Sequence, residues 1–184
     1  MDSASGSQTP PAATQLVGLA RSDSRVADLY AIHFPQLVAL ATLLSGGSSG
    51  GEEVAQETFV IALRLERQNP GYLRDPAWPW LRVTATRLAT RWRRRYPARI
   101  AALGLWAEKL PSTQRLPDES VDLMRAVGRL PWRMRVCTVL AYLEDQRTAS
   151  IADALGCSVK NVEFALREGR RRLRKDLGES YGLR

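Results

Sequence analysis

The fold is decided by one stretch, RTASIADALGCSVKNVEFALREGRRRL, which covers residues 147–173. Apolar residues recur in it at helical spacing, first in a short helix near 149–155 and then in a longer helix that follows Ser158. Gly156, between the two, can adopt the positive φ of a tight turn at little cost. Ser158 is a natural N-cap, because its hydroxyl can accept a hydrogen bond from a backbone N–H of the second helix. The stretch therefore predicts a helix-turn-helix.

The second helix of this motif has a basic and polar outward face. The residues between the buried positions of this helix are expected to face solvent. Its buried side is expected to hold Val159, Val162, Leu166, Leu173 and Leu177. A recognition helix contacts base edges from positions near its start, and arginines further along meet phosphates. The alternative is a helical hairpin with a solvated basic face. The side chains expected to face outward belong to Lys160, Asn161, Glu163, Phe164 and Arg167, followed by Arg170 and Arg171.

The composition of the chain indicates a polyanionic partner. Its 184 residues include 27 basic and 19 acidic ones, which gives a net charge of +8. Such a surplus suits nucleic acid or an anionic membrane face. No apolar run approaches the roughly 18 to 20 residues that span a bilayer, so we expect no membrane insertion. Residues 1–22 are rich in small and polar types and lack the features of a secretory signal, and we expect them to be disordered.

The chain contains one histidine, His33, and two cysteines, Cys137 and Cys157. Their spacing matches no zinc motif, and the usual nucleophile–base pairs need a partner histidine that the chain does not offer. His33 lies between Ile32 and Phe34 and is expected to pack rather than to react. We expect both cysteines to be reduced, semi-buried thiols of a cytoplasmic protein. The sequence thus predicts no metal, no cofactor and no catalytic residue, and indicates that the protein is not an enzyme.

Helical periodicity extends over nearly the whole chain, without convincing strand alternation. We expect an all-α protein with two small helical domains joined by a flexible linker, the second domain containing the helix-turn-helix. Proline residues punctuate the linker, and the apolar segment 100–110 within it is suited to a short helix or to binding a partner surface. The predicted divisions are a tail at 1–22, domains at 23–96 and 119–178, a linker at 97–118 and a tail at 179–184.

Within the first domain, a helix near 25–44 is expected to kink or break at Pro35. The glycine-rich segment 45–51 predicts a flexible loop. A helix is then expected from Glu52, with acids in its first turn that suit the positive helix N-terminus. A third helix, near 79–96, carries arginines and no acidic residue.

The order and spacing of several blocks resemble the extracytoplasmic-function (ECF) sigma factors, the smallest members of the primary sigma family. Together these blocks cover both ends of the expected folded chain. Glu53 stands where the family usually has Asp. The blocks are LYAIHFPQLV at 29–38, GEEVAQETF at 51–59, WLR at 80–82, RLPWRMR at 129–135, YLE at 142–144 and IADALGCSV at 151–159.

The resemblance implies core RNA polymerase and promoter DNA as partners. Acidic residues on the second helix are expected to dock on the clamp helices of the largest polymerase subunit, where charge gives orientation and on-rate more than affinity. The same acids also suit a helix N-terminus, and the two interpretations coexist. The residues concerned are Glu52, Glu53, Gln56 and Glu57.

The third helix and the loop before it are expected to open and hold the minus-ten strand. An unpaired base can be captured by stacking, worth about 1 to 3 kcal/mol per base, while arginines follow the backbone and make affinity salt-dependent. Tyr72, Trp78 and Arg87 are candidates for the base pocket, whereas Trp80 and Trp92 are expected to pack the core. The full set is Tyr72, Arg74, Trp78, Arg82, Arg87, Arg91, Arg94 and Arg95.

The second domain is expected to read the minus-thirty-five element as duplex, with Ser158 added to the outward residues named above. An anti-sigma protein is a further partner that the resemblance allows, and segment 100–110 is a plausible surface for it. This chain has Arg87 and Arg91 where the family usually has Asn and often Asp, and it has Glu163 and Ala165 where the family often has basic residues. The alternative function is therefore a sigma-like DNA-binding regulator that has lost initiation. Phe164 is suited either to a thymine methyl or to a protein partner.

Overall fold

The computed structural model describes residues 12–95 and 118–178. Every regular element in these ranges is helical, so the all-α prediction is confirmed. The predicted linker and terminal tails fall largely on residues 1–11, 96–117 and 179–184, outside the described residues. The helices are α1 (Ala12–Ser45), α2 (Ser48–Gln68), α3 (Trp78–Arg95), α4 (Asp118–Arg129), α5 (Trp132–Thr138), α6 (Thr148–Leu155) and α7 (Val159–Leu177), and α5 continues into a π-helical turn at Val139–Leu143.

The first domain is a bundle of α1, α2 and α3 around an apolar core. Leu37 and Leu44 of α1, Val54 of α2 and Leu81 of α3 are fully buried there, and burying such a side chain contributes about 1.5 to 3 kcal/mol. Helices α1 and α2 approach each other closely at Gly51, where a Cβ atom would lie 2.1 Å from the Thr42 hydroxyl oxygen. Only glycine allows the two helices to pack at this distance.

The segment around Gly51 is therefore not a flexible loop, and that prediction was wrong for 48–51. Helix α2 begins at Ser48, and Gly50 and Gly51 are buried within it. Glycines predict flexibility from composition, but here they allow close contact with Thr42 and Trp92. Because α2 begins early, Glu52 lies beyond the first turn, which contains no acidic residue.

Helix α1 also differs from expectation at two places. It begins at Ala12, so the prediction of disorder was wrong for 12–22. Ser22 is buried, and its hydroxyl donates a hydrogen bond of 3.1 Å to the backbone oxygen of Glu66 on α2. Pro35 does not break the helix. Core contacts on both sides of the proline, from Leu29 and Leu37, account for the continuity.

Helix α1 contains the stretch Gly18–Ser45, which is long and apolar enough to cross a membrane by length and composition, with a mean hydropathy of 1.4 over its best window. The expectation that no such run exists was therefore wrong. The core provides a physical reason for these apolar residues, because Leu37, Ala41 and Leu44 are fully buried against the other helices of the domain.

The second domain packs α4, α5 and α6 against the long helix α7. Val136, Ile151, Val162 and Leu173 form its buried centre. Gly169 of α7 lies against α5, where a Cβ atom would approach the Thr138 hydroxyl to 3.0 Å. Gly169 therefore allows α7 to pack closely on the end of α5.

The two domains contact each other directly, which the sequence did not predict. We call this contact the domain seam. The Trp132 indole N–H of α5 donates a hydrogen bond of 2.9 Å to the backbone oxygen of Leu44 at the end of α1. The Arg93 guanidinium of α3 lies 5.4 Å from the centre of the Trp132 ring. Arg135 fills the space beside Gly46, where a Cβ atom would lie 2.8 Å from its guanidinium.

Candidate nucleic-acid and polymerase-docking surfaces

The turn between α6 and α7 has the predicted geometry. Gly156 ends α6 in the left-handed region, with φ 63° and ψ 46°. Ser158 is the N-cap of α7, and its hydroxyl accepts a hydrogen bond of 3.3 Å from the backbone N–H of Asn161. Ile151 and Val162, one from each helix, are buried across the turn. The prediction that Val159 is buried was wrong: it is the first residue of α7, before the helix packs on the domain, and it is 39% exposed. The helix-turn-helix prediction is confirmed down to its glycine and its cap.

The outward face at the start of α7 is exposed as expected. Lys160, Asn161, Glu163, Phe164 and Arg167 are all exposed, and Phe164 exposes 56% of its surface. The Arg167 guanidinium lies 5.4 Å from the centre of the Phe164 ring, within cation–π range. Phe164 and Arg167 thus form an aromatic–cationic pair on this face. We call the exposed residues 160–167 the recognition face.

Ala165 is buried and does not belong to the recognition face. Its difference from the family therefore concerns packing rather than base contact. Arg170 is half-buried and lies away from this face as well, lining an apolar groove of about 70 Å³ beside Tyr142 and Leu143. Those two side chains are 55% and 50% exposed, and the sequence analysis did not identify them as a surface feature.

Charge further along α7 is partly neutralised within the helix. Glu168 accepts hydrogen bonds of 2.8 and 2.6 Å from Arg171 and one of 3.3 Å from Arg172. The hydrogen bonds from Arg171, opposed by desolvation and assisted by Arg172, lower the pKa of Glu168 to about 2. Arg171, expected to be a phosphate contact, is therefore held in an ion pair on the protein surface.

The acidic residues of α2 form a surface of their own. Glu52, Glu53, Gln56 and Glu57 are all exposed. The Glu53 carboxylate accepts a hydrogen bond of 2.9 Å from the indole N–H of Trp92, which ties α2 to the otherwise buried ring on α3. The prediction that Trp92 packs the core is confirmed.

An apolar groove adjoins these acids between α1 and α2. Its volume is about 510 Å³, and Gln56 lies at its edge. Val60 is 55% exposed and Tyr30 is 42% exposed, unusual values for large apolar side chains. The helical spacing of Gln56, Val60 and Leu63 puts them on one face, a signal that the sequence contained but that was not used.

The loop 69–77 is shaped by a buried acid that the sequence analysis overlooked. Glu66 is 2% exposed, and its carboxylate accepts backbone N–H hydrogen bonds from Gly71 at 2.6 Å and Leu73 at 3.0 Å. Arg25 of α1 lies 3.6 Å from the same carboxylate and donates to the backbone oxygen of Leu73. This network presents Tyr72 at the surface, edge-on to Trp80 with ring centres 6.1 Å apart.

Most of the arginines expected to meet the minus-ten strand are open to solvent. Arg87, Arg91 and Arg94 are exposed and follow one another at helical spacing along α3. Arg95 is exposed at the end of the helix, and Arg74 is exposed in the preceding loop. We call these five side chains the basic stripe of the first domain.

Trp78 and Arg82 are not open, and the expectation of an accessible base pocket at Trp78 is not met in this arrangement. The Glu144 carboxylate of the second domain accepts hydrogen bonds of 3.0 Å from the Trp78 indole N–H and 3.4 Å from Arg82. Both the Arg82 and Glu144 side chains are 11% exposed. The Trp78 ring also lies 5.6 Å from the His33 ring, so His33 packs as expected.

A cavity of about 240 Å³ lies along the domain seam, where Arg93 and Trp132 face each other. It is lined by Arg93, Arg94 and Arg133 together with Cys137 and Cys157. Both cysteines are free; Cys137 is buried and Cys157 half-buried. Burial, followed by the neighbouring Cys157, raises the pKa of the Cys137 thiol to about 11.

Positive charge accumulates along the domain seam, on Arg93, Arg94 and Arg133 of the cavity and on Arg135. Burial and the charge of Arg93 lower the pKa of Arg135 to about 10. Desolvation likewise lowers the pKa of Arg93. No carboxylate lines the cavity among the residues that the structure describes.

Comparison with known proteins places this geometry in a family. Residues 120–173 match the family model described as "Sigma-70, region 4". The second domain is therefore similar to sigma-70 region 4. The match covers the described helices α4 to α7 up to Leu173 and includes the cap and turn described above.

Sequence relatives extend the likeness across both domains. The chain is 28% identical over 156 residues to the "ECF RNA polymerase sigma factor SigE" of Mycolicibacterium smegmatis, covering 80% of this chain and 59% of the relative. It is 29% identical over 157 residues to the "Probable RNA polymerase sigma factor RfaY" of Xanthomonas campestris pv. campestris, covering 79% of this chain and 38% of the relative. The chain thus spans between two fifths and three fifths of these relatives. The predicted resemblance to ECF sigma factors is confirmed.

A solved structure shares the fold. It is the co-crystal structure of the sigma factor RpoE in complex with the anti-sigma factor NepR from Bartonella quintana, with a TM-score of 0.58 and 16% identity. The alignment covers 84% of this chain and 97% of that chain. At this identity the likeness concerns the fold alone.

Proposed function

We propose that this chain is an ECF-type sigma factor that binds core RNA polymerase and directs promoter recognition, strand opening and transcription initiation. The observation that carries the proposal is the capped helix-turn-helix of the second domain, with an exposed recognition face, in one chain with the basic stripe of the first domain. We propose a cytoplasmic location and a role that involves no catalysis by the chain itself.

Each surface has a role in this proposal. The acids of α2 and the neighbouring apolar groove bind the polymerase, because acid beside an apolar cleft gives both orientation and buried area. The recognition face reads the minus-thirty-five duplex. Tyr72 and the basic stripe hold the opened minus-ten strand through stacking and phosphate contacts.

Transcription with purified components tests the proposal. The chain and core polymerase are incubated with fragments of the source genome, and the 5′ ends of the transcripts are mapped. Specific start sites that appear only when the chain is added are expected. Absence of any chain-dependent start site would contradict the proposal.

Matched charge variants locate the activity. Arg94→Glu places an acid in the basic stripe and is expected to reduce open-complex formation by roughly tenfold or more, because a repelled phosphate replaces an attracted one. Arg129→Glu makes the same charge change at an exposed position of α4 and is expected to retain activity. Equal losses in both would assign the effect to net charge rather than to the stripe.

A second candidate is a sigma-like regulator that binds duplex DNA but does not open it. The exposed Arg87 and Arg91, and Glu163 on the recognition face, favour it because they differ from the family at positions expected to meet DNA. Permanganate footprinting discriminates the two functions. Reactive thymines in the minus-ten region support initiation, whereas tight duplex binding without them supports the regulator.

An anti-sigma protein is a further proposed partner. The solved RpoE structure, which shares this fold, is a complex with the anti-sigma factor NepR. The apolar segment 100–110, proposed as the surface for such a partner, lies outside the described residues. Co-purification of this chain with a genomically encoded partner from its source cells tests the proposal.

A further inference from the structure

Three side chains meet at the domain seam in a way that bears on DNA binding. Glu144 comes from the second domain, while Trp78 and Arg82 come from the start of α3. The Glu144 carboxylate accepts from the Trp78 indole at 3.0 Å and from Arg82 at 3.4 Å, and the backbone oxygen of Glu144 accepts from Arg82 at 3.3 Å. We call this contact the Glu144 clasp.

The chemistry of the Glu144 clasp is that of a nucleic-acid contact. An anionic oxygen accepts hydrogen bonds from a guanidinium and from an indole N–H, as a phosphate oxygen does. Trp78 and Arg82 belong to the set expected to hold the minus-ten strand. A DNA phosphate that approached these two side chains would have to displace the carboxylate, because both donors already point at it. The carboxylate and a DNA phosphate therefore compete for the same two donors.

The backbone holds Glu144 in place for this contact. It follows the π-helical turn Val139–Leu143, and its N–H donates to the Val139 oxygen at 3.2 Å. The Gln146 side chain donates to the Glu144 backbone oxygen at 3.1 Å. π-Helical turns occur frequently at functional sites. The turn directs the carboxylate towards α3 rather than towards solvent.

Not every polar and charged group of the described residues along the domain seam has a partner. The Nε atom of Arg82 is buried and has no hydrogen-bond partner among the described residues. Elsewhere along the domain seam, Arg93, Arg94 and Arg133 line a cavity that has no carboxylate among its described lining residues. An interface with one acid against several cations is suited to opening when a polyanion arrives.

We propose that the Glu144 clasp is an intramolecular competitor of promoter DNA, which keeps the minus-ten side chains Trp78 and Arg82 occupied until the domains separate. This inference rests on the proposed function for the identity of the DNA surface. The partner of the α3 surface in the free chain is thus the chain's own second domain. Binding of the minus-ten strand by Trp78 and Arg82 requires the Glu144 clasp to open.

The test uses the full chain without polymerase. Glu144→Ala removes the carboxylate, and Asp153→Asn removes an acid that is exposed on α6 of the same domain. Small-angle X-ray scattering measures the radius of gyration, and fluorescence anisotropy measures binding of a short labelled oligodeoxythymidylate. Glu144→Ala is expected to have a larger radius of gyration than the wild type and to bind the oligonucleotide about tenfold more tightly. A tenfold gain in affinity corresponds to an open, binding-competent form that makes up ~10% of the wild type.

A second pair of variants removes the donor instead of the acceptor. Trp78→Phe keeps an aromatic ring but loses the indole N–H, and it is expected to increase the radius of gyration. Trp80→Phe is the control, because its ring packs on Tyr72 of the same domain. The control is expected to keep the dimensions of the wild type.

Three outcomes overturn the inference. They are an unchanged radius of gyration in both Glu144→Ala and Trp78→Phe, unchanged or weaker oligonucleotide binding by Glu144→Ala, and an equal gain in Asp153→Asn, which would assign the effect to lost negative charge. Failure of the proposed function is distinguishable. It would appear as absent transcription with polymerase, while the scattering difference between Glu144→Ala and the wild type would persist.

Discussion

The two surfaces expected to contact DNA differ in what holds them. The recognition face of α7 is exposed, and its geometry arises from Gly156 and Ser158, a few residues away in the chain. The α3 surface instead depends on Glu66 and Glu144, which lie on other elements. The first surface is therefore ready to bind in the free chain. The second surface depends on Glu66, which holds the loop before α3 in shape. Its side chains Trp78 and Arg82 are bound by the Glu144 carboxylate in the free chain.

The largest effect is expected when the loop of the first domain loses its buried acid. Glu66→Ala leaves the Gly71 and Leu73 N–H groups and Arg25 without the carboxylate. Breaking a buried charged network costs about 3 to 5 kcal/mol. Chemical denaturation followed by circular dichroism measures the loss. Asp28→Ala, at an exposed acid of α1, is the control, and an equal loss there would contradict the assigned role.

A smaller loss is expected from the α1–α2 contact. Gly51→Ala places a Cβ atom 2.1 Å from the Thr42 hydroxyl and 2.7 Å from the Thr42 backbone nitrogen. Overpacking of this kind costs about 1 to 3 kcal/mol. Gly18→Ala is the control, because nothing lies within 4 Å of its added Cβ atom. There the higher helix propensity of alanine is expected to stabilise the chain by up to about 1 kcal/mol. Thermal unfolding of both variants measures the contrast.

In the second domain, the expected loss of stability comes from removing a helix cap, whereas in the first domain it comes from removing a buried charge. Ser158→Ala removes the side-chain acceptor of the Asn161 N–H, which also donates to the Ser158 backbone oxygen at 3.0 Å, and is expected to cost about 1 kcal/mol. Hydrogen exchange at the Asn161 amide checks the local origin of the loss. Ser158→Asp restores an acceptor and is expected to recover most of the stability; no recovery would contradict a capping role.

Glu168 provides a finer test of the charge on α7. Glu168→Gln is expected to release Arg171 and Arg172 for phosphate contacts, so duplex affinity should rise a few-fold and depend more steeply on salt. Fluorescence anisotropy at several salt concentrations measures both. Asp176→Asn, at an exposed acid near the end of α7, gives a matched charge change without these ion pairs, and an equal effect there would contradict the prediction.

The pH dependence of the wild type tests the same ion pairs. The pKa of Glu168 is lowered from 4.5 to about 2 in the folded chain. A carboxylate whose pKa is lowered by folding stabilises the fold above its unfolded value. That contribution is expected to be lost as pH falls from about 4.5 towards 2. Acid titration of the wild type and Glu168→Gln, followed by circular dichroism, measures the difference.

The smallest expected effect is a difference in reactivity between the two cysteines. Cys137 is buried, with its pKa raised to about 11, whereas Cys157 is half-buried in the turn before α7. Because the thiolate is the reactive form, alkylation at a pH of about 8 is expected to modify Cys157 first. Mass spectrometry after timed iodoacetamide treatment measures the order, and faster modification of Cys137 would contradict it.

Much of the fold could be predicted from the sequence, and the errors have physical causes. The helix ends at Gly156 and Ser158 were predictable because turns and caps are local. The flexible loop at 48–51 was predicted wrongly because glycine signals both mobility and close packing, and only the position of Thr42 decides between them. Disorder at 12–22 was predicted wrongly because composition gives no view of the surface on which Ser22 packs.

The candidate surfaces also differ in how much of them could be predicted from the sequence. Exposure of Lys160, Asn161 and Arg167 followed from helical spacing alone. The occupied state of Trp78 and Arg82 did not, because their partner Glu144 is 66 and 62 residues away along the chain. Ala165 differs from the basic residues often found in the family, and only its burial in the folded domain shows that it lies outside the recognition face.

The sequence by itself determined the helix-turn-helix, the basic character of α3 and α7, and the likeness to ECF sigma factors. These depend on spacing, caps and residue type over short stretches, where neighbours along the chain are neighbours in space. Only the tertiary structure decided that Glu66 builds the loop before α3 and that Glu144 occupies Trp78 and Arg82. A carboxylate has no preferred partner until folding brings donors to it, so its role depends on contacts between distant elements.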